Sequence, residues 1–400
     1  MALGSRDASE SRRYAVFLDP HGVSFNNGDD WQEQRRFFLS VFKKPVVGGI
    51  RYEEIVENQV ERFLTEVGRT DGKSFDPSHL ITTTVGNIAM QLMTGKTYEL
   101  DDPIFRQVMK HTMRIFEIIG PAGLLSTVQL LSAIPSPGKR QLEEAFDGLC
   151  SFVREKIESH KSTFGQKQEE ACYISTYLTE MARRAAKDNN ELFDETNLLG
   201  SCMEILLGGL ETTSTAVVWI VHTLASYPEA QRRVRQEILQ VIGKDRLPRF
   251  SDHNRMPLTM AIIAECMRLR PAGPFPFAHI ALEDLKVGAY DIPKGSPITM
   301  NIWHLAQSPS LWEKPKSFRP ERFLTNDGKF DRKHEPFLFG IGRRSCPGES
   351  LARVEMFLFT TFILQRFNIR LAEGVPIDIG THASATISPD PYQIHAVKAT

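Results

Sequence analysis

Long apolar runs are missing from this 400-residue chain. No stretch of about 18 uninterrupted apolar residues occurs, which leaves no transmembrane span by that criterion. Cysteine is scarce. The five, Cys150, Cys172, Cys202, Cys266 and Cys346, lie far apart with no Cys-x-x-Cys among them. That argues against a structural zinc site and against a disulfide scaffold. Four of them read as small reduced core residues. Net charge is close to nil, at −1, so no global field points to nucleic acid. The opening ten residues are polar and do not read as a signal peptide. Internal repeats and low-complexity blocks are absent. What remains, 41% hydrophobic and 24% charged, is the composition of an ordinary globular protein.

The texture of the chain changes once. Up to about Pro271 the apolar residues recur at helical spacing, as in Tyr52 to Val67, Gln141 to His160 and Glu195 to Tyr227. Breakers such as Ile134-Pro-Ser-Pro-Gly138 and Gly243 to Pro248 separate these segments. Beyond Pro271, Leu285 to Gly295 reads as two short strands around a turn, and Ser296 to Ile302 as another strand. A loop rich in proline and charge spans Gln307 to Pro336. The chain ends in strand-like alternation from Val375, broken at Pro389 and Pro391. No linker stands out, so residues 1–400 read as a single domain, mainly α with small β-sheets.

The most informative segment is Phe339-Gly-Ile-Gly-Arg-Arg-Ser-Cys-Pro-Gly348. Gly340, Gly342 and Gly348 free the backbone around Cys346, including positive φ. A loop with few Cβ atoms can aim amide N–H groups at a sulfur, which stabilises a thiolate and tunes a metal bound to it. Arg344 brings a fixed positive charge suited to a carboxylate. Pro347 stiffens the exit into an apolar run, Leu351 to Leu364, that reads as a helix. The plain alternative is a buried free cysteine in a glycine-rich turn.

Three further patterns stand out. Gly208-Gly-Leu-Glu-Thr-Thr-Ser214 sits inside a long helical segment. Two mid-helix glycines each cost up to about 1 kcal/mol relative to alanine, and the hydroxyls of Thr212 to Thr215 can bond back to carbonyls one turn earlier. The pattern predicts a bulge or groove, with Glu211 and Thr212 as an acid and an alcohol at it. Glu265-Cys-Met-Arg268 places opposite charges three apart on one helix face. Alone it reads as a surface ion pair. Trp31-Gln-Glu-Gln-Arg35 spaces an indole N–H and a guanidinium so that both reach one anion.

Taken together, these segments resemble the cytochrome P-450 superfamily. Phe-Gly-x-Gly-x-Arg-x-Cys-x-Gly fills every position of its haem signature. The Gly208 segment is similar to its oxygen-activation helix. Glu265-x-x-Arg268 followed by Phe318-Arg-Pro-Glu-Arg-Phe323 is similar to its Glu-x-x-Arg helix and meander. Five motifs stand in family order. Val23-Ser-Phe-Asn-Asn-Gly28 and Met256-Pro-Leu-Thr259 look closest to the animal microsomal branch.

The resemblance implies a haem-thiolate monooxygenase, with Cys346 as axial ligand of haem b. Trp31, Arg35, His279 and Arg344 would hold the propionates, and Phe339 and Gly348 would complete the cofactor loop. Thr212 and Glu211 would deliver protons. Glu265, Arg268 and Arg322 would form a structural charge triad. The substrate wall is expected from Leu206, Leu207, Gly209, Phe275, Phe277 and Ile387, apolar choices that suit a lipid, steroid, terpenoid or xenobiotic. O2 is the co-substrate. NADPH enters through NADPH-cytochrome P-450 reductase, with cytochrome b5 a second candidate donor. A patch of Lys43, Lys44, Arg51, Arg343 and Arg344 would dock the donor. The expected location is the cytosolic face of the endoplasmic reticulum membrane, with no role for nucleic acid. Microsomal members begin with an anchor, an early helix and first strands that this chain is expected to lack. Strands at Asp284 to Asp291 and Ser296 to Ile302 would then be without partners, and Phe116 to Leu131 would lie near the bilayer. Two rivals stand beside this reading. One is a haem-thiolate isomerase or peroxygenase needing no reductase; the other is a haem-poor, inactive fragment.

Overall fold

The computed structural model describes residues 3–6, 21–43, 46–47, 50–125, 137–165, 172–187 and 192–399. A short strand β1 (Leu3–Arg6) precedes helix α1 (Gly28–Lys43), and the two-residue strands β2 (Val46–Val47) and β3 (Ile50–Arg51) pair with each other. Helices α2 (Tyr52–Arg69), α3 (Pro77–Thr94), α4 (Pro103–Leu125), α5 (Pro137–Thr163) and α6 (Tyr173–Ala185) follow. Then come the long α7 (Glu195–Ser226), α8 (Pro228–Val241) and α9 (Pro257–Leu269).

The boundaries have local causes. At α3, Pro77 occupies the first turn, the Asp76 side chain accepts from the Ser78 N–H at 2.8 Å, and Gly95 at φ 78° closes the helix. Asp194 caps α7 by accepting from the Asn197 N–H at 2.7 Å. The start of α9 is capped from a distance: the Glu237 carboxylate on α8 accepts from the backbone N–H groups of Leu258 and Thr259.

The second half carries the sheets. β4 (His279–Ala281) pairs antiparallel with both β1 and β7 (Pro297–Ile298). The hairpin β5 (Leu285–Val287) and β6 (Tyr290–Ile292) matches the two strands expected around a turn. The strand expected over Ser296 to Ile302 is shorter, because Asn301 caps a new helix α10 (Ile302–Gln307) by accepting from the His304 N–H. The expectation that these strands lack partners is corrected: Leu285–Val287 pairs with Tyr290–Ile292, and Pro297–Ile298 pairs with His279–Ile280 in the strand that also takes Leu3–Arg6. Helix α11 (Glu349–Arg366) runs into β8 (Phe367–Leu371), which pairs with β11 (Ile394–Lys398), while β9 (Thr381–Ala383) pairs with β10 (Ile387–Pro389).

One apolar cluster reaches from Val23 on the way into α1 to Ala396 in β11. Helix α7 is its axis. It passes beside α3, where Gly209 would bring a Cβ to 3.7 Å from the Ala89 methyl. By length and composition α7 could cross a membrane, but 72% of its most apolar window is buried inside the protein, so it serves as the core helix. Of the Phe116 to Leu131 segment, residues 126–131 and the side chains from 121 onward lie outside the described residues.

The core also holds a proton. Glu355 on α11 is buried, one carboxyl oxygen accepts from the Tyr52 hydroxyl at 2.6 Å, and the other has no hydrogen-bond partner. Burial pushes this carboxyl up to about 8, with the Tyr52 bond pulling the other way. The folded protein therefore keeps this proton between the ordinary carboxylate value and about pH 8, while the unfolded chain has lost it. Stability must fall as pH rises through that window, by on the order of 1.4 kcal/mol per unit. Glu355→Gln is expected to flatten the decline, read as urea midpoints from pH 5 to 8; an unchanged pH profile would refute the assignment.

Candidate haem-thiolate site

The loop before α11 is shaped by two glycines in the left-handed region, Gly340 at φ 72° and Gly342 at φ 76°, where a side chain would be strained. A 3₁₀ turn spans Gly342–Arg344, and the Cys346 N–H returns to the Phe339 carbonyl at 2.8 Å. Gly348 departs from the expected positive φ; it sits at −89° as the N-cap of α11. A Cβ there would make an ordinary contact with Cys346 Sγ at 3.8 Å, so the position places the backbone directly beside the sulfur. Cys346 is exposed, whereas Cys172, Cys202 and Cys266 are buried and Cys150 half-buried. Two large apolar side chains of the same loop, Phe337 and Ile341, are also exposed. Phe339 is half-buried under the Arg353 guanidinium, 5.2 Å from its ring, and Arg353 is itself held by Glu335 and Glu349.

Helix α1 meets this loop. Arg35 donates to the Ser345 carbonyl at 2.6 Å, next to the cysteine. Burial lowers the Arg35 guanidinium from its ordinary value, and Cys346 opposes that. Trp31 is buried beneath three guanidiniums: Arg344 lies 3.7 Å over its ring, Arg35 and Arg343 5.7 Å each. The Trp31 Nε1–H is a buried donor with no hydrogen-bond partner. An unmet buried donor among clustered cations is the chemistry of an anion site. Arg344, itself buried, donates to the Asn26 carbonyl and the Asn27 side chain. Val23 to Gly28, which in the sequence carries only a resemblance, has a structural role. The Glu204 carboxylate on α7 accepts from the Val23 and Ser24 N–H groups, so this segment ties α7 to Arg344. Phe25 meets Phe277 edge-on at 4.9 Å, and His279, half-buried, opens β4 two residues later.

On α7 the expected bulge is absent: the segment stays α-helical throughout. Gly208 is exposed, with open space where a Cβ would be, and the half-buried Thr212 hydroxyl donates back to the Gly208 carbonyl at 2.7 Å. Glu211 turns elsewhere. It is buried and accepts from the Thr386 hydroxyl at 3.0 Å, and burial raises its carboxyl above the ordinary value. Acid and alcohol, adjacent in sequence, thus bond to different partners. Thr386 carried no sequence signal, being 175 positions away. The same side of α7 is laced to β10, with Thr215 to Ser388 at 3.0 Å and the Trp219 indole to the Ile387 carbonyl at 2.8 Å.

The expected wall residues divide. Leu207 and Ile387 are half-buried, and Phe275 and Phe277 are 56% and 50% exposed. The Ile387 N–H bonds to the Ala272 carbonyl, which brings the Phe275 segment beside β10. Leu206 is corrected: it is fully buried in the core, two residues from the open position at Gly208, because the helical turn rotates it inward.

Away from the loop, Glu265 and Arg268 on α9 are fully buried. Arg268 forks onto Glu265 at 2.7 and 3.0 Å and donates to the Ala306 and Pro315 carbonyls, each at 2.7 Å. Arg322 approaches the same carboxylate at 3.1 Å, and the Arg319 N–H donates to it at 2.8 Å. The pair read alone as a surface contact is a saturated internal tie between α9 and the loop ahead of the cysteine.

A helix-rich fold with small antiparallel sheets, a glycine-shaped cysteine loop and a buried Glu–Arg tie define a haem-thiolate oxygenase architecture. The cytochrome P450 family model matches residues 5–396, and the chain belongs to that family. It is 35% identical over 380 residues to cytochrome P450 2D26 of Rattus norvegicus, covering 92% of this chain and 74% of that one. It is 31% identical to cytochrome P450 2J2 of Homo sapiens, covering 99% and 78%, and 32% identical to cytochrome P450 18a1 of Drosophila melanogaster, covering 94% and 72%. The protein is a monooxygenase oxidoreductase of the animal cytochrome P450 branch, whose cofactor is haem held by a cysteine thiolate.

Proposed function

We propose that Cys346 is the thiolate that holds the haem iron, and that Trp31, Arg35, Arg344 and His279 take the two propionates. Phe339 and Gly348 shape the loop behind the sulfur. One observation carries this reading: an exposed thiol stands beside exposed apolar side chains and a guanidinium–indole cluster with an unmet buried donor. Haem b bound there supplies an iron at which dioxygen is cleaved, with the thiolate pushing electron density toward that cleavage.

The remaining work falls to the chain's own groups. Thr212 Oγ1 must release its proton from the Gly208 carbonyl to deliver it to oxygen. Glu211, whose carboxyl burial raises above its ordinary value, is hydrogen-bonded to Thr386 and acts as a proton carrier behind it. Leu207, Gly209, Phe275, Phe277 and Ile387 confine an apolar substrate such as a lipid, steroid, terpenoid or xenobiotic. Glu265, Arg268 and Arg322 hold the loop in place without touching substrate. A main apolar cluster reaching from Val23 to Ala396 supports treating the chain as one domain.

Electrons arrive singly from NADPH-cytochrome P450 reductase, or from cytochrome b5 for the second. The proposed docking cations divide: Arg343 is exposed and Arg344 buried, while Lys44 and the side chains of Lys43 and Arg51 lie outside the described residues. Attachment at the cytosolic face of the endoplasmic reticulum membrane is supported by likeness to the animal cytochromes P450 alone.

Reconstitution with reductase and NADPH tests the proposal. Product is expected only when both are present. In Thr212→Ala, with haem fully bound, NADPH oxidation should continue while product per NADPH falls by about an order of magnitude or more, with hydrogen peroxide released. Equal product from peroxide without reductase would favour a peroxygenase, and coupling unchanged in the alanine variant would remove Thr212 from proton delivery.

A further inference from the structure

The turn between β9 and β10 carries two hydroxyls that lead to Glu211. Thr386 donates its hydroxyl hydrogen to Glu211 Oε1 at 3.0 Å. Ser384 places its own hydroxyl 3.0 Å from Thr386 Oγ1. A hydroxyl carries one hydrogen and two lone pairs, so with the Thr386 hydrogen on Glu211 the Ser384 hydroxyl is the donor in that contact. The Thr386 carbonyl, at 3.1 Å, is the alternative acceptor for the same hydrogen. Ser384, Thr386 and Glu211 thus form a directed chain of oxygens into the long core helix.

Burial is graded along this chain. Ser384 is half-buried and Glu211 is 9% exposed, while Thr386 between them is 1% exposed. Thr386 is shut off from solvent, so a hydrogen exchanged between the two ends along this route crosses its oxygen. The backbone holds the turn in place. The Ser384 N–H donates to the Thr386 carbonyl at 2.8 Å, the Thr386 N–H to Ser384 Oγ at 3.0 Å, and the Ala385 N–H to the Phe116 carbonyl on α4 at 3.0 Å. Gly120, one turn further along α4, lies so close that a Cβ there would meet the Ser384 carbonyl carbon at 2.0 Å. Helices α4 and α7 therefore grip the turn from two sides and keep Thr386 in register with Glu211.

The groups around Glu211 suit a carboxyl that both loses and regains a proton. Burial is the main cause that raises it, and the Thr386 bond pulls it down. Of the charged neighbours, His382 on β9 lowers it and Glu117 on α4 raises it. Glu117 is paired with Arg114, and His382 lies 3.7 Å from Asp390.

We propose that Ser384 and Thr386 form a proton relay that refills Glu211, an inference that rests on Glu211 being the proton carrier behind Thr212. Once Glu211 has given up its proton, the Thr386 hydroxyl hydrogen passes to Oε1, so that one O–H bond breaks and another forms. The Ser384 hydrogen passes to Thr386 Oγ1 in the same way, and Ser384 takes a replacement proton from bulk solvent. No electrons change hands, and the net result is one proton moved from solvent to Glu211. Rotation about the two C–O bonds restores the starting orientation. Both hydroxyls act only through Glu211.

The holoenzyme with reductase and NADPH tests the relay. Thr386→Val keeps the shape and the backbone bonds of the turn. In it, product per NADPH is expected to fall at least about threefold and the solvent isotope effect on product formation to rise, and Thr386→Ser should recover most of the loss. Ser384→Ala is expected to lose coupling likewise. Adding Thr386→Val to Glu211→Gln should cost nothing further, since the relay has no other exit. Infrared spectra of the resting protein give a readout without turnover. The carboxyl C=O stretch of protonated Glu211, identified by its loss in Glu211→Gln, should move to higher frequency in Thr386→Val as the hydrogen bond disappears. Parental coupling and isotope effect in Thr386→Val overturn the relay even if the variant melts lower, because Thr386 is then a structural tie alone. Parental coupling in Ser384→Ala overturns it too. Parental coupling in Glu211→Gln removes the carrier itself, and the relay with it.

Discussion

Serine in place of Cys346 is expected to abolish the long-wavelength absorption band of carbon monoxide bound to ferrous thiolate-ligated haem. Serine at Cys150, Cys172, Cys202 or Cys266 is expected to leave it. The band requires a sulfur anion on the iron. A serine hydroxyl does not ionise near neutral pH, so the substitution removes the electron donation that sets the spectrum and the reactivity. The other four sulfurs cannot take over, since three are buried and the fourth is half-buried. The loop should survive the change, because its turns rest on Gly340, Gly342 and the backbone bond from Cys346 to Phe339, which serine retains. Monooxygenase turnover should vanish with the band. A serine variant that keeps it would show that another residue ligates the iron.

The second large effect is expected far from substrate. Arg268→Met should destabilise the protein by about 3–5 kcal/mol, the usual cost of leaving one partner of a buried ion pair uncompensated. Four hydrogen bonds are lost at once: two to Glu265 and one each to the carbonyls of Ala306 and Pro315. Arg322 and the Arg319 N–H remain on Glu265, but neither reaches those carbonyls. Arg268→Lys should fare little better, since an ammonium cannot reproduce the planar fork. Arg319→Ala is the control. Its side chain pairs with the largely exposed Glu313, and its backbone bond to Glu265 is unaffected by the substitution. A change below about 1 kcal/mol is expected there. Denaturant midpoints of the three variants decide the matter, and equal shifts for Arg268→Met and Arg319→Ala would contradict the buried triad.

The two cases differ in how legible they were. The cysteine loop could be read because its physics is local: glycine spacing, an arginine and a cysteine within ten residues leave few conformations to weigh. Glu265-x-x-Arg268 could not be weighed without the fold. Its spacing fits an exposed ion pair of little value as well as a buried tie, and only the packing of 306–322 over α9 decides between them. Trp31 and Arg35 fall between: their helical spacing showed that they could share an anion, but not that Arg343 and Arg344 would join them over the same ring.

The sequence by itself determined the family, the order of the helical and strand regions and the approximate extent of the helices at Tyr52, Glu195 and Leu351. Each follows from periodicity, caps or backbone freedom within a few residues. Tertiary structure decided what depends on rotation about a helix or on distant partners. It turned Leu206 inward, gave Glu211 to Thr386 and Thr212 to Gly208, and set β1 against β4. A helix places neighbouring residues about 100° apart, so adjacent side chains serve different surfaces, and which surface lies opposite is fixed only when the rest of the chain has folded onto it.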